Sequence, residues 1–332
     1  MTKKNVKNTK SVKSVELCHR NPGIEFDLAL ISDININRSA IERRTASLVK
    51  RRTVKKDYQA AWLLKAITFI DLTTLSGDDT PGKVRRLCQK AKQPVSKEIL
   101  AALDVTDLNI KTGAVCVYHN MIETAVTALK GSNIPVAAVS TGFPAGQSLH
   151  SIKLAEIAAS VADGAEEIDI VISREKVLTG DWQGIYDEVK SFRHACGDAH
   201  IKTILATGEL ATLTNVAKAS WVCMMAGADF IKTSTGKEPV NATLPVSLVM
   251  VRAIRAFYEL TGVKIGYKPA GGVQTAKQAL EYIILMKEEL GNDWLVPELF
   301  RFGASSLLGD IERQLEHYVT GSYSASFRHA IS

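Results

Sequence analysis

The chain has 332 residues, 46% hydrophobic and 23% charged, an ordinary composition for a soluble globular protein with a large core. Its net charge of +6 is unevenly placed: residues 1–56 hold 14 of the 41 Lys/Arg but five of the 35 Asp/Glu. No apolar run approaches the roughly 18 residues of a membrane helix, no signal-peptide core is visible, and the five scattered cysteines form no CxxC pair. Free thiols in a reducing compartment, and so a cytoplasmic protein, are the expectation.

The basic excess belongs to the N-terminal segment. Residues 1–37 read as a basic, unstructured tail, with a weak salt-dependent contact to a polyanion as the sharper reading. From about Arg38 to Leu64, Ala40, Ile41, Leu48 and Val49 recur at helical spacing. That predicts a helical extension packed outside the main domain or across its base.

From residue 66 short apolar runs alternate with helical stretches. Strands are predicted over Ala66–Leu72, Ala114–Tyr118, Val136–Thr141, Glu167–Ser173, Ile201–Thr207, Phe230–Ser234, Ile265–Lys268 and Phe300–Gly303. Helices are predicted over Pro81–Ala91, Met121–Leu129, Leu149–Ala162, Trp182–Ala195, Leu210–Met225, Leu244–Tyr258, Ala276–Leu290 and Ser306–Tyr318. Ser148, Asn241 and Thr275 are candidate caps, and Gly164, Gly227 and Gly262 stand where helices should stop. Eight strand-then-helix units predict an α/β fold, a closed (β/α)8 TIM barrel over residues 38–320 including its N-terminal helical extension. Residues 321–332 are expected to form a flexible tail. An open doubly wound sheet is disfavoured, because no GxGxxG turn follows the first strand.

Two lysines carry the chemical signal. Lys232 lies in Asp229-Phe230-Ile231-Lys232-Thr233-Ser234-Thr235-Gly236-Lys237, and Lys268 in Ile265-Gly266-Tyr267-Lys268-Pro269-Ala270-Gly271-Gly272. Strand alternation turns Phe230, Lys232 and Ser234 to one face, and Gly266 and Lys268 inward on the neighbouring strand. Two ammonium groups about 6 Å apart repel by roughly 2–3 kcal/mol at an effective dielectric near 20, and burial adds to that cost. One of them is then neutral and nucleophilic near pH 7; the arithmetic does not say which. Asp71 and Asp169, each flanked by branched apolar residues, are candidates to hold a lysine or move a proton. Lys202 is a further inward candidate, with charge balance for these acids as its bland role.

Each lysine strand opens into a Gly- and Ser/Thr-rich turn before a helix, where backbone N–H groups cradle phosphate. Thr235, Gly236 and Lys237, then Gly271 and Gly272, then Gly303, Ser305 and Ser306 are the candidates, in the loops after strands six, seven and eight. The histidines show no metal-ligand spacing and no adjacent nucleophile, and read as surface or loop residues. An amine of lowered pKa beside a phosphate cradle suits a Schiff-base enzyme acting on a phosphorylated aldehyde.

Across residues 55–320 these segments resemble the deoxyribose-phosphate aldolases. FIKTSTGK followed by GYKPAGG carries most of the likeness, and TFIDLTTLSGDDT resembles the longer animal-type members. The resemblance implies that Lys232 forms the Schiff base, that Lys268 lowers its pKa, that Asp169 relays protons, and that Asp71 and Cys116 line the pocket. It implies reversible cleavage of 2-deoxy-D-ribose 5-phosphate to D-glyceraldehyde 3-phosphate and acetaldehyde, in deoxyribose phosphate catabolism, with no metal or organic cofactor. A homo-oligomer is compatible with it. The chain departs at Tyr118-His119, where many members have Tyr-Pro, and at its end, where Tyr323 is a candidate for the tyrosine that enters the site in bacterial relatives. The alternatives are another Schiff-base barrel aldolase for phosphosugars, and a non-catalytic scaffold with a basic arm.

Overall fold

The computed structural model describes residues 20–51 and 53–329. Eight parallel strands form the centre: β1 (Ile70–Thr73), β2 (Ala114–Val117), β3 (Val136–Ser140), β4 (Glu167–Val171), β5 (His200–Ile204), β6 (Phe230–Lys232), β7 (Gly266–Lys268) and β8 (Phe302–Ala304). Their order is β7-β6-β5-β4-β3-β2-β1-β8. Bonds from Tyr267 N to Leu299 O (2.9 Å) and Gly303 N to Pro269 O (2.9 Å) join β7 to the β8 segment and close the barrel.

Among the described residues the helices are α1 (Ala29–Ser32), α2 (Arg38–Arg51), α3 (Lys56–Thr68), α4 (Pro81–Lys92), α5 (Lys97–Ala102), α6 (Ile122–Leu129), α7 (His150–Ala162), α8 (Arg174–Thr179), α9 (Trp182–Cys196), α10 (Leu213–Met225), α11 (Leu244–Thr261), α12 (Ala276–Leu290) and α13 (Leu307–Thr320). Their starts follow local chemistry. Thr80 caps α4 ahead of Pro81, and Thr275 with Gln278 forms a capping box on α12. Thr243 caps α11 in place of Asn241, whose amide instead donates to Glu238 O at 2.8 Å. α7 starts at His150 with Leu149, not Ser148, at its N-cap. Gly262 closes α11 at φ +72°.

The largest apolar cluster fills the space between strands and helices, as in a layered α/β protein. Inside the barrel the parity of the strands governs the filling. Phe230 plugs the lower end, and Gly266 on β7 is required there, since a Cβ would lie 2.4 Å from the Phe230 ring. Cys116, Ala137, Val139, Val171 and Ile204 make a smaller apolar cluster inside, with Phe143 and Tyr118 above it.

Four expectations are revised. The first strand was drawn from Ala66, but Ala66–Thr68 completes α3 and the strand begins at Ile70. The N-terminal tail was drawn to residue 37, yet Asn21 is buried, with its N–H donating to Asp229 Oδ1 (2.8 Å) and its side-chain amide to Met224 O and Ala228 O. That contact sits at the foot of β6, and from there the segment runs along the outside of α10, where Lys218 Nζ donates to Ser32 O (3.3 Å) and Ile36 N donates to Thr214 Oγ1 (3.1 Å). Residues 1–19, with the expected polyanion contact, lie outside the described residues. The helical extension is two helices; α2 packs on α11 and α12, and α3 on α12 and α13. At the other end, the expected flexible tail is held to α13 by His329, buried and 2.7 Å from Glu316 Oε2.

Candidate active site

The barrel interior holds charges in unusual number. Asp71 on β1, Glu167 and Asp169 on β4, Lys202 on β5, Lys232 on β6, Lys268 on β7 and Arg301 just before β8 are all buried. Each follows from parity: Asp169 pairs in register with Lys202, and Lys232 with Lys268. Lys232 Nζ and Lys268 Nζ both lie 2.7 Å from Asp169 Oδ2. Lys268 also donates to Asp71 Oδ2. Lys202 donates to Glu167 and lies 3.2 Å from Asp169 Oδ1. Arg301 bridges Asp71 Oδ1 (2.6 Å) and Glu167 Oε1 (2.9 Å).

Four potential cations therefore face three carboxylates. Fully charged, the cluster carries one unbalanced positive charge in a medium that hydrates it poorly, and the favoured response is loss of a proton. Burial acts to lower all three lysines. For Lys202 the pull of Asp169 and Glu167 outweighs it, and for Lys268 the pull of Asp169 and Asp71 does, so both sit above the ordinary lysine value. Lys232 alone of the three is held below it: burial leads, Asp169 opposes and Lys268 adds repulsion. Arg301 stays charged. Burial acts to raise Asp169 and Asp71, but the surrounding cations overcome it and keep both well below the carboxylate range. Of the three lysines, Lys232 is thus the one that gives up its proton most readily.

Lys232 also borders open space. A cavity of about 410 Å³ above it is walled by Thr73–Ser76, Lys83, Thr235–Lys237, Ala270–Gln274 and Gly303–Ser306. The expected phosphate candidates Thr235, Gly236, Lys237, Gly271, Gly272, Ser305 and Ser306 all stand in this wall. The first loop departs from expectation in one respect. The Glu238 carboxylate accepts from Thr235 N (3.0 Å), Gly236 N (3.1 Å) and the Thr235 hydroxyl (2.8 Å), so those donors are engaged within the protein. Gly271 is at φ +74°, and a Cβ there would lie 2.6 Å from Asn241 Cγ, so only glycine lets the β7 loop pass this close to the β6 loop.

Asp71, which the resemblance puts in the pocket lining, and Lys202, the further inward candidate, are fully buried below the cavity and hold the charged cluster together. Cys116 is also below it, its thiol pushed up to about 11 by burial. Glu167 and Arg301 were missed. Glu167 shares the parity of Asp169, and Arg301 that of Gly303, so alternation alone carried the signal. Tyr323 stacks on His317 with ring centroids 4.0 Å apart, beyond the end of α13 remote from the cavity, and does not enter the site. His119 is not a bare loop residue; it pairs with Glu156 at 2.6 Å.

A parallel barrel with a buried lysine at the floor of a cavity in its C-terminal mouth defines a TIM-barrel enzyme. Residues 65–310 match the DeoC/LacD family aldolases, and the chain belongs to that family. It is 62% identical over 307 residues to the deoxyribose-phosphate aldolase of Homo sapiens, covering 92% of this chain and 96% of that one. To the deoxyribose-phosphate aldolase of Mus musculus it is 62% identical over 305 residues, 91% of this chain and 96% of the relative. The tetrameric deoxyribose phosphate aldolase of Aeropyrum pernix shares the fold at TM-score 0.59 and 19% identity, over 84% of this chain and 99% of that chain.

Proposed function

We propose that this aldolase reversibly cleaves 2-deoxy-D-ribose 5-phosphate to D-glyceraldehyde 3-phosphate and acetaldehyde, through a Schiff base on Lys232. The observation that carries the reading is that Lys232 is both the cluster lysine driven toward its neutral form and the one bordering the cavity. Its neutral amine donates one N–H to Asp169 Oδ2 and keeps a lone pair for the C1 aldehyde of the sugar. Addition gives a carbinolamine, and loss of water gives an iminium. The C3 hydroxyl then loses its proton, the C2–C3 bond breaks, and its electron pair passes into the iminium to leave an enamine. Glyceraldehyde 3-phosphate departs; protonation at C2 and hydrolysis release acetaldehyde and the free amine.

Asp169 is the proton carrier in this reading, acting through a water, and Lys268 is the fixed charge that disfavours an ammonium on Lys232. Lys237, Gly272, Ser305 and Ser306 hold the phosphate, with Gly236 and Gly271 shaping the loops and Thr235 anchoring Glu238. The four cysteines among the described residues are free and buried, and no helix there is long and apolar enough to cross a membrane; both support a cytoplasmic enzyme of deoxyribose phosphate catabolism. Turnover of 2-deoxyribose 5-phosphate tests the substrate. Borohydride reduction with acetaldehyde should add a two-carbon mass to the peptide bearing Lys232. An adduct found on Lys268 alone would reverse the assignment.

A further inference from the structure

Among the residues walling the cavity there are three lysines and no acid: Lys232, Lys237 and Lys83. The first two belong to the reading above. Lys83 sits in the first turn of α4 and arrives from a different side. Around the barrel the strands run β6, β7, β8, β1. Lys237 therefore bounds the three glycine- and serine-rich loops at their β6 edge, and Lys83 bounds them at their β1 edge.

The β1 loop is folded to hold Lys83 in that place. The Asp79 carboxylate, almost fully buried, accepts from the Thr74 hydroxyl (2.7 Å), Ser76 N (3.0 Å) and Lys83 Nζ (2.9 Å). Thr74 and Ser76 are cavity residues themselves, so one carboxylate ties the wall of the cavity to the lysine stem. Asp78 is 3.9 Å away, beyond hydrogen-bond reach. An ammonium has three protons, and Asp79 takes one. The side chain keeps a quarter of its surface exposed. By contrast Lys92 and Lys90 of the same helix donate to Ala128 O and Glu312.

We propose that Lys83 is a second phosphate-binding cation, closing the cradle opposite Lys237 and matching the double negative charge of a phosphate monoester. This rests on the phosphosugar reading above and adds to it a binding residue from the β1 side. Asp79 holds the ammonium at the cavity edge without filling its donor capacity, which lowers the ordering cost of the contact when phosphate arrives.

Calorimetric titration with inorganic phosphate tests the contact without depending on catalysis. Lys83→Met should weaken phosphate binding about tenfold, the loss of one charge-assisted hydrogen bond, and Lys83→Arg should retain most of it. The ratio of kcat/KM for 2-deoxyribose 5-phosphate to that for 2-deoxyribose should fall by a similar factor in Lys83→Met. Unchanged phosphate affinity in Lys83→Met would overturn the proposal, as would an equal loss on both sugars. A wild-type enzyme inactive on 2-deoxyribose 5-phosphate would instead defeat the substrate reading, and the phosphate titration would still decide the role of Lys83.

Discussion

Replacing Lys268 with leucine should move the acid limb of the kcat/KM profile to higher pH by roughly two units. The two amine nitrogens each stand 2.7 Å from the same oxygen of Asp169, so their separation is at most twice that distance. At about 5 Å and an effective dielectric near 20, two positive charges repel by roughly 3 kcal/mol, a little over two pKa units. Both side chains are buried, at 4% and 0% exposure, so solvent screens little of this. Removing Lys268 also leaves three carboxylates facing three cations, and Lys232 then keeps its proton. The sign follows: the reactive form is the neutral amine, a raised pKa depletes it at neutral pH, and alkali restores it. Initial rates from pH 5 to 10, with thermal melts to confirm folding, read the shift. A limb that stays where it is in a folded variant refutes the electrostatic account of Lys268.

Lys237→Met should raise KM for the phosphorylated sugar by about tenfold to a hundredfold, and far less for 2-deoxyribose, because a charge-assisted bond to phosphate is lost; steady-state kinetics on both sugars decides it. Lys202→Met removes a cation that touches neither cavity nor Lys232, yet by charge balance it should shift the acid limb in the same direction as Lys268→Leu; a pH–rate profile that does not move would show that only the nearest charge matters. Asn21→Ala should cost about 2–3 kcal/mol, since two buried carbonyls lose their amide partner, and thermal melting should fall by several degrees. Deleting residues 1–19 should leave kcat within about twofold, because every candidate site residue lies between Asp71 and Ser306; a folded but inactive truncation would place that segment in the site.

The barrel and its site were legible for the same reason: a period of two in short apolar runs fixes which side chains face inward. That rule places Lys232 and Lys268 inside, while branched apolar neighbours mark Asp71 and Asp169 as buried acids and leave Lys202 as a further inward candidate. It also held the signal for Glu167 and Arg301, which were passed over because a charge at a strand's lower end reads as an ordinary boundary residue. The Glu238 contacts were not legible, because they depend on a loop turning its own carboxylate back onto N–H groups that resemble a free anion cradle. The β1 loop shows the same limit, since Asp79 finds Thr74, Ser76 and Lys83 only once Pro81 has started α4. Asn21 was lost because it directly follows the basic segment and stands in a stretch without helical or strand periodicity, where one buried asparagine gives no signal.

The cluster explains why so many charges are tolerated inside the barrel and why one of them is held more loosely than the rest. A barrel interior filled with apolar side chains would be simpler to stabilise, since buried ion pairs often do no better than hydrophobic packing. Here the pairs are interlocked: Asp169 is shared by Lys202, Lys232 and Lys268, and Arg301 spans Asp71 and Glu167. Three cations are thereby fixed by carboxylates from more than one direction. Lys232, which meets a single carboxylate oxygen already shared with Lys268, is the weakest-held of the four. The lysine whose pKa is lowered is therefore the one that opens onto the cavity, where the proposed chemistry would use an unprotonated amine.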